Sequence, residues 1–87
     1  MQIGSVVYSK TGRDQVRVYL IHSLDSTKEG YVWVVDGEIR TLAHPKRKNS
    51  KHLHYKGEDL PVLAEKLAKG VQVFDSEIKS ALRAYAK

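Results

Sequence analysis

The sequence predicts a mostly β domain, a small and strongly bent antiparallel barrel with two short α-helices packed on it. Three observations lead there. Residues 3–42 hold closely spaced runs rich in β-branched and aromatic side chains, broken by turns carrying Gly and Asp. Residues 60–85 switch to helical spacing of their apolar positions. The chain has 87 residues, 41% hydrophobic and 29% charged, a globular composition rather than a disordered one. A chain of this size buries roughly 60–65% of its unfolded surface, which allows one modest core and no large enclosed cleft.

The first strand is read over residues 3–9 (IGSVVYS). A polar turn with Gly12 follows, and alternation of Val16, Val18 and Leu20 with Arg17, Tyr19 and Ile21 gives a second strand. Residues 24–30 form a loop. Residues 31–35 (YVWVV) are apolar on both faces, as a central strand covered on two sides requires. If Val32 and Val34 face the barrel interior, Trp33 faces outward, where it is either covered by the last helix or free to stack on a base, the helix-covered role being the expected one. Asp36-Gly37 is a hairpin signal, and residues 38–42 resume alternation as a fourth strand. Residues 43–56 carry Pro45 and no sustained periodicity, so they read as an ordered or semi-ordered basic loop. Asp59 is the expected N-cap of a first helix, with Pro61 in its first turn, Leu60, Leu63, Ala64 and Leu67 on its apolar stripe, and Gly70 as its stop. Residues 71–74 are a short apolar link, with a brief strand as the alternative. Asp75 or Ser76 then caps a second helix with Ile78, Ala81, Leu82 and Tyr85 on one face. Residues 1–56 thus form the barrel with its basic loop and residues 57–87 a helical extension, the two making one cooperative domain.

Charge is unevenly spread. The whole chain carries 15 Lys and Arg against 10 Asp and Glu, a net +5. Residues 1–39 contribute 4 − 5 = −1 and residues 57–87 contribute 5 − 5 = 0. Residues 40–56 hold Arg40, Lys46, Arg47, Lys48, Lys51 and Lys56 with no acid, so this segment supplies +6. A solubilising surface mixes both signs, whereas a one-signed patch suits a polyanion.

Several stretches carry a resemblance. Gly4-Ser-Val-Val-Tyr-Ser-Lys-Thr-Gly-Arg-Asp14, Val35-Asp-Gly-Glu-Ile-Arg40 and Pro45-Lys-Arg-Lys-Asn-Ser-Lys-His52-Leu53 resemble the bacterial KOW-domain RNA-binding proteins. These in turn are similar to a group of archaeal and eukaryotic large-subunit ribosomal proteins. The resemblance runs from about Gly4 to Tyr85, and its most specific part is the string Asp36-Gly37, Arg40, Pro45-Lys46, Asn49, Lys51-His52. It implies an SH3-like barrel and binding to RNA or the ribosome. One position departs: Val16 stands where the motif carries glycine, so a bulge or close backbone approach there is denied.

The expected function is therefore binding of structured RNA, ribosomal RNA above all, in association with the ribosome or translation. Lys46, Arg47, Lys48 and Lys51 are expected to neutralise phosphates, with Arg47 also able to fork onto a phosphate or stack on a base. Asn49 fits either a base-edge contact or a turn. Arg40 extends from the hairpin toward the loop, with Glu38 as a competing ion-pair partner. His44 and His52 fit polar or stacking contacts, while His54 reads as plain exposed loop. Tyr55, beside the basic loop, is the tyrosine best placed for stacking. Lys10, Arg13 and Arg17 flank the first turn and either extend the basic surface or pair with Asp14. Two rival readings stand beside this one: an SH3-like protein-interaction module, and a transcription-associated domain that binds DNA or RNA.

Other classes are disfavoured. There is no cysteine, which removes disulfides, thiol nucleophiles and thiolate metal sites. The histidines lack nearby acids and sit among cations, so no metal and no cofactor is expected. No phosphate loop, nucleophile elbow or HExxH is present, so no enzyme is expected. No apolar run reaches membrane-spanning length and residues 1–5 lack a signal-peptide pattern, so the expected setting is the cytoplasm, with no membrane partner. The free protein is expected to be a monomer, with ribosomal proteins as neighbours on the ribosome.

Overall fold

The computed structural model describes residues 1–11 and 15–85. Five strands form one antiparallel sheet: β1 (Ser5–Thr11), β2 (Gln15–Leu24), β3 (Tyr31–Val35), β4 (Lys46–Asn49) and β5 (His54–Asp59). Their order across the sheet is β4-β3-β2-β1-β5. A single 3-10 turn, Ser50–His52, joins β4 to β5, and α1 (Pro61–Lys69) and α2 (Asp75–Arg83) follow. No helix among the described residues is long and apolar enough to cross a membrane.

The pleat sorts the apolar residues onto two faces. Val7, Tyr19, Ile21, Val32 and Val34 are buried together on one face, where Leu53 joins them from the β4–β5 link. Val6, Leu20 and Val35 point the other way and are covered by Leu63 of α1 and by Ile78 and Leu82 of α2. The alternation in β2 and the two-sided apolar run in β3 thus have one physical cause, a sheet buried on both faces.

The sheet is curled but not closed. β4 and β5 are its opposite edges, yet only residues 50–53 connect them. In a flat sheet those edges would stand about 19 Å apart. A fully extended link of this length spans about 17 Å at most, and the 3-10 turn shortens it further. The edges must therefore bend toward each other, with the Val7–Leu53 cluster on the concave side.

Two segments differ from the sequence expectation. Residues 43–56 are not one basic loop. They supply β4, the 3-10 turn and the start of β5. Lys46 to Asn49 pair with β3, from Val34↔Lys46 to Tyr31↔Asn49. β5 pairs with β1, with Tyr55 opposite Val7 and His54 opposite Tyr8. Conversely, residues 38–42 form no strand. Asp36 ends β3 by folding the chain on itself: its Oδ1 accepts the Glu38 and Arg40 amides at 2.9 and 2.8 Å. Its own N–H donates to the Arg40 carbonyl at 2.8 Å. An aspartate bonding to the backbone ahead of it makes a local turn that competes with strand pairing. Residues 71–74 are the short link between α1 and α2, with no strand.

The helix caps also correct the expectation. Asp59 does not cap α1, whose N-cap is Leu60 without a side-chain cap bond. Asp59 instead accepts the Ser5 and Tyr55 hydroxyls at 2.7 and 2.8 Å, tying β5 to β1. Neither Asp75 nor Ser76 caps α2. Glu77 reaches back to accept the Phe74 N–H at 3.2 Å, and Asp75 accepts the Leu42 N–H at 2.7 Å. Gly70 does end α1, with φ +71°. Trp33 is half-buried and is not among the residues packed into the helix-covered cluster. It faces Ser23 and Arg47 across the ladders instead. Val16 sits in the regular β1–β2 ladder opposite Lys10 and is 59% exposed.

Gly37 positions α2. Its φ is +80°, and a Cβ there would overlap the Asp75 carbonyl oxygen and the Lys79 amide nitrogen. Gly37→Ala is expected to cost at least about 2 kcal/mol, since both left-handed strain and helix displacement act. A urea denaturation midpoint unchanged from wild type would contradict this packing. Acid is expected to weaken the fold as well. The Ser5 hydroxyl, and then Tyr55, hold the Asp59 carboxyl below its ordinary range. The Lys66 ammonium, and then the Phe74 N–H, do the same for Glu77. A carboxyl depressed in the folded state stabilises above its unfolded pKa and loses that contribution as pH falls through its folded value. Burial also holds the half-buried His22 imidazole below its ordinary pKa. Urea midpoints are therefore expected to begin falling below about pH 6.5, where the unfolded chain takes up that proton first, and to fall further below about pH 4.

Candidate nucleic-acid interface

The candidate interface is built on β4, an edge strand whose sequence is KRKN. Successive side chains on a strand point to opposite faces. Lys46 and Lys48 lie opposite Val34 and Val32, on the concave face. Arg47 and Asn49 lie opposite Trp33 and Tyr31, on the other face. The two faces differ electrostatically.

On the outer face the positive charge is already met. Arg47 Nε donates to Asp25 Oδ2 at 2.8 Å, with the Asp25 side chain only 5% exposed. Asp25 also accepts the Thr27 amide and hydroxyl at 2.8 and 2.6 Å. Those two bonds first, and the Arg47 charge after them, hold its carboxyl below the ordinary range. The Arg47 guanidinium lies 4.7 Å from the centroid of the Tyr31 ring, and the Lys28 ammonium 4.5 Å from the same centroid. Asn49 Oδ1 accepts the Lys51 amide at 3.1 Å, so its role is to start the 3-10 turn.

On the concave face the cations have no ion-pair partner among the described residues. Lys48 Nζ donates to Ser9 Oγ at 2.9 Å and lies 5.6 Å from the Tyr19 ring centroid. Ser9 is 2% exposed and Tyr19 4%. Burial first, then the charges of Lys46 and Arg40, push the Lys48 ammonium below its ordinary pKa. Arg17 and Arg40 also act on the Tyr19 phenol, opposed by Asp36, while burial raises its pKa overall. Arg17 stands opposite Ser9 in the β1–β2 ladder. β2, the 36–45 connection and β4 therefore converge their cations on Tyr19. Among the described residues, Arg17, Arg40, Lys46 and Lys48 are in no ion pair. Glu38, expected to blunt Arg40, pairs with Lys79 of α2 at 3.3 Å instead.

The other predicted residues are dispersed. His44 is exposed in the 36–45 connection, its amide bonded to the Thr41 carbonyl at 3.0 Å. Lys51 and His52 are exposed in the 3-10 turn. His52 and His54 do not share a strand. Tyr55 is on β5 and hydrogen-bonds Asp59. Arg13 and the Lys10 side chain lie outside the described residues. No cluster of three or more potential metal-ligating side chains occurs among the described residues. Sequence reasoning missed Ser9 and Asp25 as partners of the basic strand. Asp25 carried only a turn signal, and nothing in the sequence linked Ser9 to a lysine 39 positions away.

No protein-family model matches the chain, and no curated protein matches it.

Lys48 is expected to titrate below the ordinary lysine value because it is partly buried among like charges. Side-chain NMR of the lysine Nζ and Cε groups across the alkaline range checks this. A Lys48 signal titrating at the value of a free lysine would show an ammonium in open water.

Proposed function

We propose that this chain is an RNA-binding protein without catalytic activity, acting in the cytoplasm on structured RNA, ribosomal RNA above all. The observation that carries the reading is the convergence of Arg17, Arg40, Lys46 and Lys48 on one concave face with no ion-pair partner among the described residues. Cations left without carboxylates on a folded surface favour a polyanion, because binding releases the counterions condensed on it. The finer fold reading is an SH3-like barrel of the KOW type. The curled sheet, with edges linked by only residues 50–53, supports it.

In this reading phosphate contacts supply most of the affinity and the rigid sheet sets register by shape. β4 presents its cations from a fixed ladder rather than from a loop, so little conformational entropy is lost on binding. Arg47, already held by Asp25, contributes less than its neighbours in sequence.

With four to six cations on phosphates, log K against log salt is expected to fall with a slope of roughly −3 to −5. Replacing Lys46 and Lys48 together with alanine is expected to flatten the slope by about two, whereas Arg47→Ala changes it by less than one. Fluorescence anisotropy with a fragment of ribosomal RNA, over a range of potassium chloride, measures both. Weak salt dependence and tolerance of the double substitution would sink the reading and favour a protein-interaction module.

A further inference from the structure

β4 carries cations on both faces, but among the described residues only those of one face lack an ion pair. Arg47 has Asp25 at 2.8 Å. Among the described residues, Lys48 Nζ has the Ser9 hydroxyl at 2.9 Å and lies over the Tyr19 ring, 5.6 Å from its centroid. A partly buried lysine ordinarily finds a carboxylate, because removing an ammonium from water is costly. Here the charges acting on Lys48 are cations, Lys46 on the same strand face and Arg40 from the 36–45 connection, while the Asp36 carboxylate acts with Arg17 and Arg40 on the adjoining Tyr19.

We infer that Lys48, with Lys46, Arg40 and Arg17 around Tyr19, forms a preformed pocket for one phosphate group. The inference rests on the RNA-binding reading and assigns the place where a single phosphate is held most firmly. An ammonium has three N–H donors. Ser9 takes one of them, which fixes the head group, and leaves the others for an anion. The sheet's curl is what makes the geometry possible. Ser9 is on β1 and Lys48 on β4, three strand spacings apart in the order of the sheet, about 14 Å if it were flat. A lysine side chain reaches less than half of that. Ser9 is therefore a positioning residue. It is 2% exposed and meets the phosphate only through Lys48. The lysine stem crosses beside Val32, its ladder partner, so methionine at position 48 keeps the packing and removes the charge. The ligand chemistry is a phosphate group, whether an internal phosphodiester of RNA or a free phosphate.

The test is an NMR titration of the full chain with inorganic phosphate at constant ionic strength, and separately with a short RNA duplex. Inorganic phosphate is expected to shift the Ser9, Tyr19 and Lys48 signals saturably at millimolar concentration. Lys48→Met is expected to abolish that saturation, and Ser9→Ala to weaken it about tenfold or more, the worth of one hydrogen bond to a charged group. Lys69→Met, an exposed α1 residue, serves as the control for loss of one charge. Shifts spread evenly over the basic residues of 40–56, or Ser9→Ala without effect on the phosphate midpoint in a folded protein, would overturn the pocket. The two readings part in the duplex titration. Saturation by phosphate with no binding of RNA would keep the pocket and sink the RNA reading. RNA bound equally by wild type and Lys48→Met would sink the pocket and leave the RNA reading standing.

Discussion

From β4, at one edge of the sheet, the chain has only residues 50–53 with which to reach β5 at the other. That short path forces the curl, and much else follows from the curl. It gives the sheet a concave face small enough for Val7, Tyr19, Ile21, Val32, Val34 and Leu53 to fill. It turns the remaining face outward, where α1 and α2 cover Val6, Leu20 and Val35. It also brings a lysine on one edge strand to a serine three strands away. Leu53, the buried residue of the link, is the pin: the turn before it and the strand after it are both exposed to water, while its own side chain is not.

The same geometry sorts the charges. A run of cations in sequence looks uniform, but a strand divides it by parity. The odd positions meet Asp25, Tyr31 and Trp33; the even ones meet a buried hydroxyl and other cations. The 36–40 turn adds to the second group. By accepting two amides, Asp36 bends the chain so that Arg40 approaches Lys48, while Glu38 turns away to Lys79. Asp75 and Gly37 lock this turn against α2. The helices, though remote from β4, thus hold one corner of the candidate site.

The first three strands and both helices were legible in the sequence as elements, because alternation and helical spacing report directly which residues are buried. Their ends were not, since the strand read over 3–9 runs from Ser5 to Thr11 and the second strand reaches Leu24, which was read as loop. β4 was not legible. Lys46, Arg47 and Lys48 have neither alternation nor β propensity, and they pair because β3 offers an open edge, which is a tertiary reason. The Asp36-Gly37 signal was real as a turn and misleading as a hairpin, since Asp36 satisfies the backbone locally before a strand can form. The caps failed for the same kind of reason: Asp59 and Asp75 found partners far along the chain. As for the candidate site, the positive charge of residues 40–56 was readable by arithmetic, but its division between two faces required the ladder register. That Arg17 joins it followed from the β1–β2 pairing rather than from any motif.

The order of the strands also bears on how the chain reaches this structure. β1 and β2 are neighbours in sequence and can zip as soon as both exist. β5 must wait: its contacts with β1 include a hydrogen bond across 54 positions, from Ser5 to Asp59. Until then β1 presents an open edge carrying Val6, Val7 and Tyr8, the kind of edge that recruits other chains. During synthesis that interval lasts while roughly fifty further residues are added, several seconds at ordinary elongation rates. The last strand of the sheet is thus also its guard against aggregation, and the topology that curls the fold sets a delay between making its most adhesive segment and covering it.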